Sequence, residues 1–131
     1  MAAMLWIRIG AISAALAVAA GAFGAHGLRE MLAASGRAET FETAVRYHMA
    51  HALALVAVGL LGLHAGRGTD LEVAGWSFLV GTVLFSGSLY GLSLSGPRWL
   101  GPITPLGGVA FIVGWIALAL VARDAGVPSS L

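Results

Sequence analysis

The groups able to do chemistry are few: four histidines, two tyrosines and scattered serine and threonine hydroxyls. His48 and His51 stand three residues apart in Arg46-Tyr47-His48-Met49-Ala50-His51, where a charged stretch turns into an apolar run. Residues three apart share one face of an α-helix, so the two imidazoles can point together with Arg46 and Tyr47 at the same end. His26 closes the preceding apolar segment. If the two segment ends meet at one membrane face, His26, His48 and His51 can converge, and three neutral imidazoles suit zinc or copper. The spacing falls short of His-Glu-x-x-His, in which the histidines stand four apart and a glutamate serves as base. The preferred reading is structural: His26 and His51 bond to carbonyls or hydroxyls at helix ends and fix the register of a bundle. Proton or solute handling is the alternative, and metal or haem binding the third reading. His64 reads as a solvated helix terminus.

Thr82, Ser86 and Tyr90 recur at four-residue spacing, Ser93 continues that face, and Ser88 lies off it. Such hydroxyls can line a polar path. More often they bond to a preceding carbonyl of their own helix or to a neighbour, at about 0.6 kcal/mol per contact, and packing is the reading adopted. Enzymatic activity is not expected. The chain has no cysteine and so no thiolate nucleophile or zinc thiolate. Its six carboxylates sit in the first two connections, at the helix entries beside them, or in the tail, so no serine has an orienting acid and base within the membrane. No Gly-rich loop precedes a lysine, and no cofactor is expected. An interfacial lipid reaction is the one enzymatic alternative left.

The elements that must position these groups follow from composition. Apolar residues make up 59% of the 131 residues and charged ones 10%, against about 45–50% and about 25% in soluble domains. A net charge of +1 with no basic block argues against nucleic-acid binding. Four apolar segments, at about residues 4–25, 43–63, 71–94 and 105–122, each approach the roughly 20 residues needed to cross a bilayer. The chain therefore reads as a single all-α membrane domain, 1–131, folded as a four-helix bundle with the lipid bilayer as its first partner.

Local signals mark the segment ends. Thr69-Asp70-Leu71-Glu72 fits a capping box at the third segment, which stops at Ser95-Gly96-Pro97. Thr104 fits an N-cap with Pro105 at the first helical position of the fourth. Gly66 can end the second. Leu28, Met31 and Leu32 recur on one face before Gly36, predicting a short interfacial helix between the first two spans. Glu42 and Arg46, four apart in the favourable order, extend the second helix beyond the membrane. Arg8, the apolar stretch after it and the small residues near Ala19 imitate a signal peptide, but the apolar run continues through Phe23 and reads as a retained span.

Helices in lipid associate where small residues allow close backbone approach. Gly10, Ala14, Ala17, Gly21 and Ala25 form such a stripe on the first helix, as do Gly107, Ala110, Gly114 and Ala117 on the fourth, and the third contains Gly87-x-x-x-Gly91. Trp6, Trp76 and Trp99 fall near segment ends, as an interfacial aromatic belt requires, whereas Trp115 does not.

With "GAFGAHGL" (from Gly21), "YHMAHALAL" (from Tyr47), "LFSGSLYGLSLSG" (from Leu84) and "ITPLGGVAFIVGW" (from Ile103) in order, the chain resembles the domain of unknown function 423 family. These are small multi-pass proteins of bacterial inner membranes, similar to animal transmembrane protein 256. The pattern is matched at His26, Tyr47, His51, Ser86, Gly87, Ser88, Tyr90, Thr104, Pro105, Gly107 and Gly108. It departs at His48, where the resemblance implies glutamine, so a mechanism needing both histidines would not be general to the family. The resemblance implies a helical membrane protein and no particular activity. The expectation is a structural or accessory bundle that self-associates or joins a larger membrane complex, with a passive solute or proton pathway as the alternative.

Overall fold

A computed structural model of the chain describes residues 2–66 and 68–125. Four helices are long and apolar enough to cross a membrane: Ala2–Ala25, Ala38–Ala65, Thr69–Leu94 and Arg98–Ala122. The first is α1 (Ala2–Ala25), followed by the short α2 (Arg29–Ser35) and the long α3 (Ala38–Ala65). The third crossing is compound. It comprises α4 (Thr69–Gly81), a π-helical turn (Thr82–Ser86) and α5 (Gly87–Leu94). A 3₁₀ turn (Arg98–Leu100) leads into α6 (Ile103–Ala125). No strand occurs among the described residues.

Glycine ends three elements where the backbone turns left-handed, at Gly36, Gly66 and Gly96. At Gly36 the amides of Gly36 and Arg37 bond to the carbonyls of Ala33 and Leu32, a Schellman arrangement that closes the anticipated interfacial helix. Two anticipated caps do not form. Thr69 is already helical and Gly68 takes the cap position, its carbonyl accepting the Glu72 amide at 3.2 Å. Thr104 also lies inside its helix, which begins at Ile103, and its hydroxyl bonds across to Ser88 instead.

The helices pack as two pairs, α1 on α3 and the α4–α5 crossing on α6, with α3 also lying against that crossing. Close approach explains the glycines. A Cβ at Gly10 would lie 2.8 Å from the Ala52 carbonyl oxygen, and one at Gly59 would lie 2.7 Å from that of Ala3, so α1 and α3 meet backbone to backbone. Ala17 and Ala52 are fully buried in the same seam, Ala14 is half-buried, and Gly21 faces Val45. On the other pair, Gly107 lies against the backbone of Phe85 within the π turn, Gly114 against the Phe78 ring, and half-buried Ala110 shares their helix. Gly91 accommodates the Leu100 side chain. Gly87 departs from expectation: an added Cβ would meet nothing within 4 Å, so this glycine packs against no helix.

Tryptophan placement divides. Trp76 and Trp99 are exposed, as an aromatic belt requires. Trp6 is buried, its ring filling the notch above Gly75 and meeting Trp76 edge-on at 5.4 Å. It therefore pins the start of α1 to α4 rather than anchoring in headgroups.

Candidate functional site

His51 sits on the face of α3 turned toward α6, 5% exposed. Its Nδ1 lies 2.8 Å from the carbonyl oxygen of Tyr47, one turn earlier, and its Nε2 lies 3.1 Å from the indole Nε1 of Trp115. A carbonyl can only accept and an indole N–H can only donate. These partners assign the tautomer: Nδ1 carries the hydrogen, and the Nε2 lone pair accepts from Trp115. The ring also stacks on Phe111, with centroids 3.5 Å apart and planes 7° from parallel. Phe78 packs against Trp115 at 4.9 Å, and Tyr47 against Phe85 at 4.5 Å. The imidazole is thus the polar centre of an aromatic cluster joining α3, the third crossing and α6.

His48 is also buried, at 9% exposed, but bonded differently. Its Nδ1 lies 2.9 Å from the Tyr90 hydroxyl on α5, and its Nε2 lies 3.1 Å from the Ser13 hydroxyl on α1. Hydroxyls both donate and accept, so either neutral tautomer satisfies the chain Ser13, His48, Tyr90. One histidine is locked in a single hydrogen-bond direction; the other can run in two.

The hydroxyls of the third crossing are engaged one by one. Thr82 donates to the Phe78 carbonyl at 2.8 Å and Ser93 to that of Tyr90 at 3.0 Å, both within their own crossing. Ser86 donates across to the Ala44 carbonyl of α3 at 2.9 Å. Ser88 donates to the Phe85 carbonyl at 2.9 Å and shares a 2.6 Å bond with the Thr104 hydroxyl on α6. Thr82, Ser86 and Tyr90 nonetheless keep the common face that their spacing predicts, lining one groove across the π turn, while Ser88 lies off it toward α6.

The proposed histidine triad does not assemble. His26 is exposed at the end of α1, while His48 and His51 turn to different partners. Among the described residues no three His, Cys, Asp or Glu side chains stand together as a metal site. Metal coordination by His51 would displace the Trp115 donor or the Tyr47 carbonyl. His64 bonds to the Leu60 carbonyl at its exposed helix end. Tyr47, 40% exposed, contributes its ring to the aromatic cluster and its carbonyl to His51.

Three participants were not among the sequence candidates: Ser13, Trp115 and Phe111. Ser13 is the lone hydroxyl in an apolar segment, and Trp115 is the tryptophan that fits no interfacial belt. Both anomalies were signals of an internal polar partner. Phe111 carried no comparable signal.

The family described as "Protein of unknown function (DUF423)" matches residues 20–108. The chain is 48% identical over 118 residues to the UPF0382 membrane protein YwdK of Bacillus subtilis, covering 90% of this chain and 95% of that protein. It is 44% identical over 116 residues to a UPF0382 membrane protein of Staphylococcus epidermidis, covering 88% and 93%. A UPF0382 membrane protein of Haemophilus influenzae is 40% identical over 114 residues, covering 87% and 90%. No solved structure matches the chain. Long apolar helices and relatives named as membrane proteins agree, and the chain belongs to the DUF423 family as a multi-pass membrane protein.

Proposed function

We propose that the protein is a structural or accessory component of the bacterial inner membrane, acting through the contacts its outer faces make with lipid or with a larger complex. The observation that supports this reading is the satisfaction of its interior polar groups: no buried side-chain nitrogen or oxygen among the described residues lacks a hydrogen-bond partner. A conduit needs polar groups left available to a passing solute, and here the imidazoles and hydroxyls are joined to each other or to the backbone. Aromatic rings fill the space between α3, α4 and α6 around His51. The α-helical spans favour the inner membrane, since outer-membrane spans are typically β-barrels. No catalytic step is proposed: among the described residues the buried hydroxyls bond to backbone carbonyls, to each other or to an imidazole.

Self-association through the glycine stripes has less support than the sequence suggested, because Gly10, Gly107 and Gly114 pack within the chain. A larger complex would use the outer aliphatic faces. The test has two arms: flux assays in liposomes across ions and small neutral solutes, and native-gel analysis after mild extraction from the source membrane. Inert liposomes and a native species larger than the monomer are expected. Solute-specific flux abolished by Ser86→Leu would replace this reading with a pathway.

A further inference from the structure

A cavity of about 720 Å³ opens where the last turns of α1, the short α2 and the first turns of α3 come together. Gly21 and Gly24 leave its α1 wall without side chains, and the buried Phe41 ring, seated on Gly24, forms part of its lining. Leu32, 2% exposed, anchors α2. Arg29 stands three residues before it on the same side of that helix and lines the cavity. Glu42 and Arg46 line it from α3. Glu30, Arg37 and Glu39, on the same turns and the loop between them, lie outside this lining. Two guanidiniums and one carboxylate therefore share one space, drawn from two elements.

The order of these charges is set by the helix that carries two of them. Since α3 runs inward from Ala38, Arg46 marks the deeper end of the cavity and Glu42 stands one turn farther out, about 5–6 Å away. Gly21 faces Val45, so the cavity has an apolar lining beside Arg46. A cation deep and a carboxylate outside it complement a headgroup whose phosphate lies next to its acyl chains and whose ammonium lies beyond, across a two-carbon link. Guanidinium gives phosphate short charge-assisted hydrogen bonds, and basic pockets between membrane helices recognise lipid headgroups in this way. The carboxylate supplies the selectivity. An ammonium meets it with opposite charge and N–H donors, a quaternary amine with charge alone, and a headgroup hydroxyl with a neutral donor.

We infer that this cavity binds one phosphatidylethanolamine molecule, its phosphate held by Arg46 and Arg29 and its ammonium by Glu42. This assignment is independent of the accessory role.

The test is native mass spectrometry of the full chain released from nanodiscs containing equal amounts of phosphatidylethanolamine, phosphatidylglycerol and phosphatidylcholine with identical acyl chains. Phosphatidylethanolamine should be retained about fivefold or more over either competitor. Arg29→Gln and Arg46→Gln should each reduce that retention severalfold, whereas Arg98→Gln, an exposed arginine at the same end of the bundle and outside the cavity, should not. Glu42→Gln should turn the preference toward phosphatidylglycerol. Ala33→Trp fills the cavity from α2 without altering any charge and should abolish retention; it stands in if an arginine variant proves unstable. Soluble glycerophosphoethanolamine should leave the lipid in place. Equal retention of the three lipids, a parental preference for phosphatidylglycerol, equal losses in Arg98→Gln and Arg46→Gln, indifference to Ala33→Trp, or displacement by the soluble headgroup would each overturn the assignment.

Discussion

The indole of Trp115 donates to Nε2 of His51 at 3.1 Å, tying α6 to α3. Neither partner has an alternative in lipid. Trp115→Phe leaves a buried imidazole nitrogen without a donor, and a loss of about 1–3 kcal/mol is expected. His51→Phe preserves the stack on Phe111 but orphans the indole. The double variant should recover part of the combined loss, with a coupling of about 1 kcal/mol in reversible detergent unfolding. A cycle that closes to zero would remove this bond from what holds α6 in place.

The two histidines should differ spectroscopically. In ¹⁵N-labelled protein, His51 is expected as a single neutral tautomer with hydrogen on Nδ1, because one partner only accepts and the other only donates. Trp115→Phe should keep hydrogen on Nδ1, which the Tyr47 carbonyl still accepts, while shifting the Nε2 resonance and leaving the His48 signals in place. Hydrogen on Nε2 of His51 in the parent protein would contradict the geometry.

Glycines that look alike in sequence should respond in opposite ways. An alanine at Gly107 meets the Phe85 backbone, with Cα only 2.8 Å from the new Cβ, and overpacking by about 1–3 kcal/mol is expected. Gly87→Ala meets nothing and removes backbone freedom, so a gain of about 0.5–1 kcal/mol is expected. Thermal unfolding in one detergent compares them directly, and equal responses would refute the packing described for α6.

Ser86→Ala deletes the bond to the Ala44 carbonyl, at about 0.6 kcal/mol on the average for such contacts. Thermal unfolding in one detergent measures it, and a Ser86→Ala midpoint equal to that of the parent would show that this bond carries no net stability.

Four crossings place the loops alternately. The chain lacks cysteine, so single cysteines at Ser35 and Ser95 should be labelled by a membrane-impermeant thiol reagent from one side, and a cysteine at Gly66 from the other. The approach of Arg37 to Gly96 already joins the first two positions. Labelling of Ser35 and Ser95 from opposite sides would exclude the fold.

The spans, the short α2 and its Gly36 terminus were legible in the sequence, because each rests on a local signal: hydropathy over a window, a one-sided apolar repeat, a glycine where the backbone turns left-handed. The packing roles of Gly10, Gly107 and Gly114 were legible as a pattern. Gly87 was not separable from them, since an open groove and a helix interface both favour glycine. What each polar side chain meets was less readable. Thr104 suited an N-cap by type, yet tertiary pairing with Ser88 claimed its hydroxyl. The regular spacing of Thr82, Ser86 and Tyr90 did read through, since all three line one groove across the π turn, but the partner each hydroxyl takes did not. Neither His51 nor Trp115 announced the other across a separation of 64 positions.

The π turn between Thr82 and Ser86 takes in its extra residue without breaking the seam on either side. Phe78, Gly81, Phe85 and Ser88 all meet α6. The third crossing therefore rides the last helix as a single rail, and seating that rail is what holds Tyr90, on its other side, in reach of His48.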